Sequence, residues 1–324
     1  KQKTAYEIPK RDWSSDVCSS DLLSQIPGLE TKELNEVLGY KFSDRYDHVI
    51  STLKQRTLHK TAPGLRESLG TTPIVVYDQD PWEAFRDGSP HKGSYRFISS
   101  YLNVRTFAVT TEWWADFLNR QGFPSTFVKM WVLPEYCDNN VSSYENRSVH
   151  VGFVGTVHPY RKALFDRLGD LGINVITKQG NTLAYEQYLK TLRDIRIFVH
   201  SEDHQFNVSN RPFNLKNGLW IKDVEAASQG CFSIRNTGEG LRSYAGSFPV
   251  DNSGKGMIRT YENVEEVPSM IEDIEKMEHS ERQALIAATI EHIKRIDAWN
   301  ETTNVLSSET PTTSRINLCS KKVK

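Results

Sequence analysis

The sequence lacks an excess of either charge: 40 Lys and Arg stand against 41 Asp and Glu, for a formal net charge of -1. Bulk electrostatics therefore give no reason to expect a nucleic-acid or membrane-surface binder, although single sites remain free to hold anions. Cysteine is scarce, and Cys18, Cys137, Cys231 and Cys319 show no C-x-x-C or C-x-H spacing. A zinc centre and a disulfide framework are both disfavoured, and a reducing cytoplasm is the expected compartment. No apolar run approaches the roughly 20 residues of a membrane span, and no signal peptide is visible at Lys1. The chain starts without Met, consistent with a fragment. The dinucleotide fingerprint G-x-G-x-x-G is also absent, which disfavours a nicotinamide cofactor.

What is present begins with an oddity. RDWSSDVCSSDL, Arg11 to Leu22, has no apolar period of 2 or 3.6 and reads as loop. Back-translated from Asp12, it accommodates without mismatch an oligonucleotide that resembles a common sequencing adapter read in frame. Residues 1–22 are expected to be artefactual or disordered and to carry no functional weight; a genuine Ser/Asp-rich linker is the alternative.

From Leu23 to about Gly70 the pattern is helical and polar, with Leu34, Val37 and Leu38, then Val49, Ile50 and Leu53, at three- and four-residue spacings. Ile74 to Tyr77 reads as a buried strand, RTFAVTT from Arg105 as a second, EWWADFLNRQG from Glu112 as a helix stopped by Gly122, and STFVKMWVLP from Ser125 as a third strand. Polar, turn-rich Glu135 to Ser148 is the expected interdomain linker. Strands and helices then alternate: VHVGFVGT from Val149, a helix near Lys162 to Leu168, NVITKQG, AYEQYLKTL, RIFVHS, GLWIKDVEAASQG, CFSIRN, a short strand near Phe248 to Val250, and a helix from Val264 to Met277. Alternation of this kind implies right-handed crossovers and parallel sheets. An amphipathic helix from His279 to Trp299, striped by Leu285, Ala288, Ile293 and Ile296, and a disordered polar tail over residues 301–324 complete the expected chain.

Three constellations could carry chemistry. In VGFVGTVHPYR, a strand opens through Gly155 and Thr156 into a helix, which offers bare backbone N–H groups and a positive dipole end to an anion. Arg161 could add a two-pronged phosphate contact and His158 a further one; a plain tight turn with a solvated Arg is the other reading. In NGLWIKDVEAASQGCFSIRN, Glu225 is set on a different helix face from Leu219 and Val224. Its carboxylate could accept both hydroxyls of a ribose, with Lys222 either joining the donor site or merely pairing with Glu225 one turn away. In DQD, Asp80 stands at a strand end as a candidate acceptor-side base, while Asp78 and Asp80 together could hold a divalent metal; a strand-end cap is the remaining reading. His200 and His204 could line the same cleft, and one of Trp113 and Trp114 could offer a sugar-stacking face, although core packing is favoured for both.

The order of VGFVGT with its following Arg, then FVHS, then K-x-x-E-A-A-x-x-G and a strand resembles the donor domain of GT-B glycosyltransferases, most closely the CgeB-like family of spore and envelope enzymes, bacterial or phage in origin. The resemblance covers about Val149 to Met277, and YDQDPW is similar to the end of that family's N-terminal domain. It implies an α/β protein of two Rossmann-like domains with parallel sheets, the N-terminal one truncated (23–140) and the donor-binding one spanning 149–278. It also implies transfer of a sugar from a nucleotide-sugar donor to an unknown glycan, protein or small-molecule acceptor, with no cofactor and no metal. Donor contacts would come from Gly155, Thr156, His158, Arg161, Asn217, Lys222 and Glu225, with Asp80 on the acceptor side. Retaining members carry a second Glu eight residues before the ribose Glu; here that position is Asn217. That departure keeps a noncatalytic nucleotide- or partner-binding module, and a metal-dependent transferase using Asp78 and Asp80, open as alternatives.

Overall fold

The computed structural model describes residues 29–39, 48–128, 132, 134–178, 183–202, 205–208, 211–214, 221–237, 256–295 and 315–319. Arg11 to Leu22, Asn217, His204 and the strand expected near Phe248 lie outside the described residues. The strands in chain order are β1 (Leu29–Glu33), β2 (His48–Ser51), β3 (Ile74–Asp78), β4 (Val104–Val109) and β5 (Ser125–Phe127), then β6 (Val149–Val154), β7 (Ile176–Lys178), β8 (Ile195–His200), β9 (Gln205–Val208), β10 (Arg211–Asn214), β11 (Phe232–Asn236) and β12 (Ile258–Tyr261), and last β13 (Arg315–Cys319).

They form two parallel sheets, ordered β1-β13-β2-β3-β4-β5 and β12-β11-β8-β6-β7, with β9 and β10 as a separate antiparallel hairpin. Helices cover both sheets, so the strands must bury both faces, and their sequences show it. Val49 and Val76 enter one apolar cluster while Ile50 and Val75 enter the opposite one. In the second sheet Ile197 and Val199 face one cluster and Phe198 the other. Each such fully buried aliphatic or aromatic side chain stabilises the fold by about 1.5–3 kcal/mol.

Several expectations are corrected. Val49 and Ile50 do not continue a helix; they sit in β2, paired with β3. A short apolar run is ambiguous between the two periods, and pairing with a neighbouring strand decides it. Within the tail expected to be disordered, Arg315–Cys319 forms a strand that inserts parallel between β1 and β2. Its alternating I-N-L core is a strand pattern hidden in a Ser/Thr-rich context. The helix Ser94–Tyr101 and strand β12 had no clear local signal. The last helix, His279–Arg295, buries Arg282, Ile286, Thr289, Ile290 and Ile293, with Ala288 exposed, so its inner face is rotated from the expected stripe.

The expected linker is docked on the second half. Asp138 accepts from the Ser142 N–H at 2.8 Å, and Arg147 donates to the carbonyls of Ile195 at 3.0 Å and Gln229 at 2.9 Å. Tyr144 lies beneath the Arg282 guanidinium, 4.5 Å from ring centre. The helix Glu112–Arg120 starts as expected, with the Thr111 hydroxyl accepting from the Trp114 N–H at 3.1 Å. Both Trp113 and Trp114 pack in its cluster, Trp113 stacked on Phe117 at 5.3 Å. None of the described helices is long and apolar enough to cross a membrane.

Candidate functional site

In the second sheet the chain leaves β6 toward β7 on one side and returns to β8 on the other. The carboxyl ends of β6 and β8 therefore flank a topological switch point, where open α/β sheets bind ligands. Gly155 follows β6 with φ of 145°, a backbone region that side chains avoid. A Cβ there would meet Phe153 Cζ at 3.1 Å and Lys222 Nζ at 3.3 Å. Lys222 thus reaches across from the helix Ile221–Ser228 to the Gly155 turn, and its ammonium also lies 5.6 Å from the Tyr188 ring centre. Two sequence blocks far apart in the chain, the glycine turn and the K-x-x-E helix, meet at the switch point.

Glu225, three residues on, is fully buried. The helix that carries it has no polar outer face: Ile221, Asp223, Val224, Glu225, Ala226, Ala227 and Ser228 are all buried. Glu225 does face away from Val224, toward Tyr188 in a different cluster, but that face is enclosed as well. Tyr188 donates its hydroxyl to Glu225 Oε2 at 2.9 Å, whereas Oε1 has no hydrogen-bond partner among the described residues. Burial raises the carboxyl's pKa, against the pull of Lys222 and of the Tyr188 and Tyr185 hydroxyls.

Arg161 is not poised for a free anion. It is buried, donating through Nε to Ser201 O at 3.2 Å, through Nη1 to Thr156 O at 2.8 Å, and through Nη2 to Glu202. The guanidinium instead fixes the carbonyl side of the Gly155–Thr156 turn. Thr156 is half-buried and His158 exposed, the latter stacked 5.6 Å from Tyr160 at the start of the helix Pro159–Asp170.

Behind the turn lies a buried ionic chain that the sequence did not disclose. Asp223 accepts from His200 Nε2, Ser233 Oγ and Arg235 Nη1, each at 2.8 Å. His200 Nδ1 stands 3.5 Å from Glu202, which the Arg161 guanidinium also faces. His200 is therefore a core residue, not a cleft ligand. Desolvation, the strongest single influence on Glu202, would raise its pKa, but Arg161, His200 and Arg235 together hold it down at about 2. Asp223 is likewise depressed well below the usual carboxylate range: burial opposes, and His200 and Arg235 prevail. The available sequence signal was Arg235, the one charged residue of the strand FSIRN, where a buried cation demands a buried partner.

The first half presents its own cleft at the carboxyl ends of β2 and β3, about 180 Å³ in volume and lined by Lys54, Gln55, Asp78, Asp80 and Glu83 among others. Asp78 is nearly buried, accepting from the Tyr95 hydroxyl at 2.7 Å, Gln55 Nε2 at 3.3 Å and the Asp80 N–H at 3.0 Å. Burial lifts its pKa to about 6, partly opposed by the Tyr95 and Asp80 hydrogen bonds and assisted by Glu83. Asp80 turns its carboxylate toward Trp82 Nε1 at 3.4 Å. Both Asp78 oxygens accept hydrogen bonds, one on Oδ1 and two on Oδ2, and the described residues contain no group of three or more His, Cys, Asp or Glu able to hold a metal ion.

No family model matches the chain, and no curated protein matches it either. Solved structures do. A trehalose-6-phosphate synthase, OtsA, aligns over 83% of this chain and 73% of its own with a TM-score of 0.51 and 10% identity. A structure described as giving insight into glycosyl transfer with retention, through bisubstrate glycomimetics of trehalose-6-phosphate synthase, aligns over 82% and 75% with a TM-score of 0.52 and 11% identity. The chain has the GT-B fold. The alignment spans both halves, and identity this low speaks to architecture alone.

Of the donor-binding set read from the sequence, the GT-B switch point brings together Gly155 and Lys222, with Glu225 one helical turn behind. Arg161 is placed as their support and His158 at the rim. Gln55, Tyr95, Glu202 and Asp223 were missed.

Proposed function

We propose that the protein transfers a sugar from a nucleotide-sugar donor to an acceptor held by the first half, without an obligatory metal, as a glycosyltransferase of CgeB-like type. The observation that carries this reading is the meeting of the Gly155 turn with Lys222 at the switch point of a GT-B fold. The Gly155 N–H is committed to Lys178 O at 2.9 Å, so the N–H groups of Thr156 and Val157 beyond it, with the Lys222 ammonium, would neutralise the charge that builds on the departing diphosphate, the work a metal does elsewhere. Glu225, held through Oε2 by Tyr188, would accept a ribose hydroxyl. Arg161 is assigned a positioning role, because its donors are committed to the turn and to Glu202.

Calorimetry with UDP, GDP and ADP tests this. One nucleotide is expected to bind the wild-type chain and to bind Lys222→Ala about ten- to a hundredfold more weakly. If none binds, and neither Lys222→Ala nor Glu225→Ala changes anything, the transferase reading is lost. The full burial of Glu225 favours one other reading, a noncatalytic nucleotide-binding module. It predicts nucleotide binding with no turnover of any UDP-, GDP- or ADP-sugar.

A further inference from the structure

The cleft of the first half holds a polar group that its own fold leaves unsatisfied. Gln55, at the first turn of the helix Gln55–Leu69, is only 6% exposed. Its Nε2 is engaged with Asp78 Oδ2, while its Oε1 meets no donor among the described residues. A buried unpaired carbonyl oxygen loses its hydration with nothing in return unless something supplies a hydrogen bond. Asp78 stands beside it, clamped by Tyr95 from the helix Ser94–Tyr101, and Asp80 and Glu83 line the same cleft. The buried end is thus built of oxygen acceptors. Of the two cations of the lining, Arg56 is exposed and Lys54 is half-buried, as are Asp80 and Glu83.

We infer that this cleft binds a neutral vicinal diol, the pyranose ring of an unphosphorylated saccharide, through Gln55 Oε1 and the Asp78 carboxyl group. Adjacent ring hydroxyls are two donors at the spacing that an amide oxygen and a neighbouring carboxylate can share. A phosphate in this cleft would face three carboxyl groups, Asp78, Asp80 and Glu83, against two cations, Lys54 and Arg56, neither of them buried as Asp78 is. The assignment of the saccharide as acceptor rests on the transferase reading; the binding itself does not. Asp78, not Asp80, becomes the residue that touches the reacting hydroxyl, and Tyr95 and Gln55 position it.

The test is ligand-observed NMR titration of the full chain with methyl hexopyranosides and with the corresponding hexose 6-phosphates. At least one methyl pyranoside is expected to bind, its 6-phosphate more weakly, and Gln55→Met to lose at least about tenfold in affinity. Lys276→Ala, an exposed side chain outside both clefts, should leave pyranoside binding unchanged. Absence of binding by every pyranoside, tighter binding of the phosphates, or undiminished binding to Gln55→Met would each overturn the inference. Should Gln55→Met melt at a lower temperature, Tyr95→Phe provides the second variant, expected to weaken the pyranoside severalfold. Parallel nucleotide titrations separate the outcomes: nucleotide binding without pyranoside binding defeats the cleft alone, and the reverse defeats the transferase reading alone.

Discussion

Asp78 and Glu202 hold corresponding places in the two halves, each at the carboxyl edge of a parallel sheet and each almost wholly buried, yet their protonation is driven in opposite directions. Asp78 is lifted to about 6 and Glu202 lowered to about 2. Desolvation acts upward on both. The difference lies in the partners: Asp78 has neutral donors from Tyr95 and Gln55 with Glu83 nearby, whereas Glu202 faces Arg161, His200 and Arg235. Burial alone does not decide what a carboxylate does; the charge of its neighbours does. The second half uses buried ions to fix a turn, and the first keeps a carboxyl group that titrates close to neutrality in a cleft, where perturbed groups tend to be functional.

The comparison can be broken most forcefully at Asp223. Asp223→Ala strands Arg235 and His200 without a counter-charge and is expected to cost about 3–5 kcal/mol in urea unfolding, whereas Asp78→Asn at neutral pH should stay within about 1 kcal/mol of wild type. Equal costs would erase the distinction between the two edges.

The pH dependence of stability sharpens it. Glu202, with its folded pKa depressed, contributes about 3 kcal/mol that is present above the unfolded value of 4.5 and lost as pH falls toward about 2. Asp78, with its folded pKa raised, acts in the other sense: its contribution is complete below 3.8 and about 3 kcal/mol is lost as pH climbs through about 6. Thermal unfolding of Asp78→Asn should therefore gain on wild type as pH rises from about 4 to about 7 and run parallel above that. A gap that does not move with pH contradicts the burial assigned to Asp78.

The smallest expected effect compares two glycines. Gly122 has φ of 84° with nothing near its missing Cβ, and Gly155 has φ of 145° with Phe153 and Lys222 crowding it. Gly122→Ala should cost about 1 kcal/mol and Gly155→Ala about 2 kcal/mol, with the second alone weakening nucleotide binding. Chemical denaturation of both, with calorimetry on each, checks this.

Much of the second half was legible, since β6 and β8 carry long apolar stretches and the helices before Gly172 and Gly230 stop at those glycines. Strand β6 ends where VGFVGT meets Gly155, and β11 begins just after Gly230, as the pattern requires. Less of the first half was readable, because β2 and β13 are short and their partners lie far along the chain. The site divides the same way. Gly155, Lys222 and Glu225 belong to motifs with local spacing, whereas Tyr95 and Gln55 reach Asp78 from 17 and 23 residues away with no periodicity linking them.

The sequence by itself determined the α/β alternation, the parallel sheets and the glycine turn, because those follow from periodicity and from backbone conformations that few residues can adopt. Only the tertiary structure decided that Arg161 supports the turn while Lys222 faces it, that His200 belongs to the core, and that Asp78 is buried under the Tyr95 hydroxyl while Asp80 is half-buried. Those outcomes depend on which distant charge or hydroxyl a fold places within about 3 Å, and a linear sequence carries no such distance.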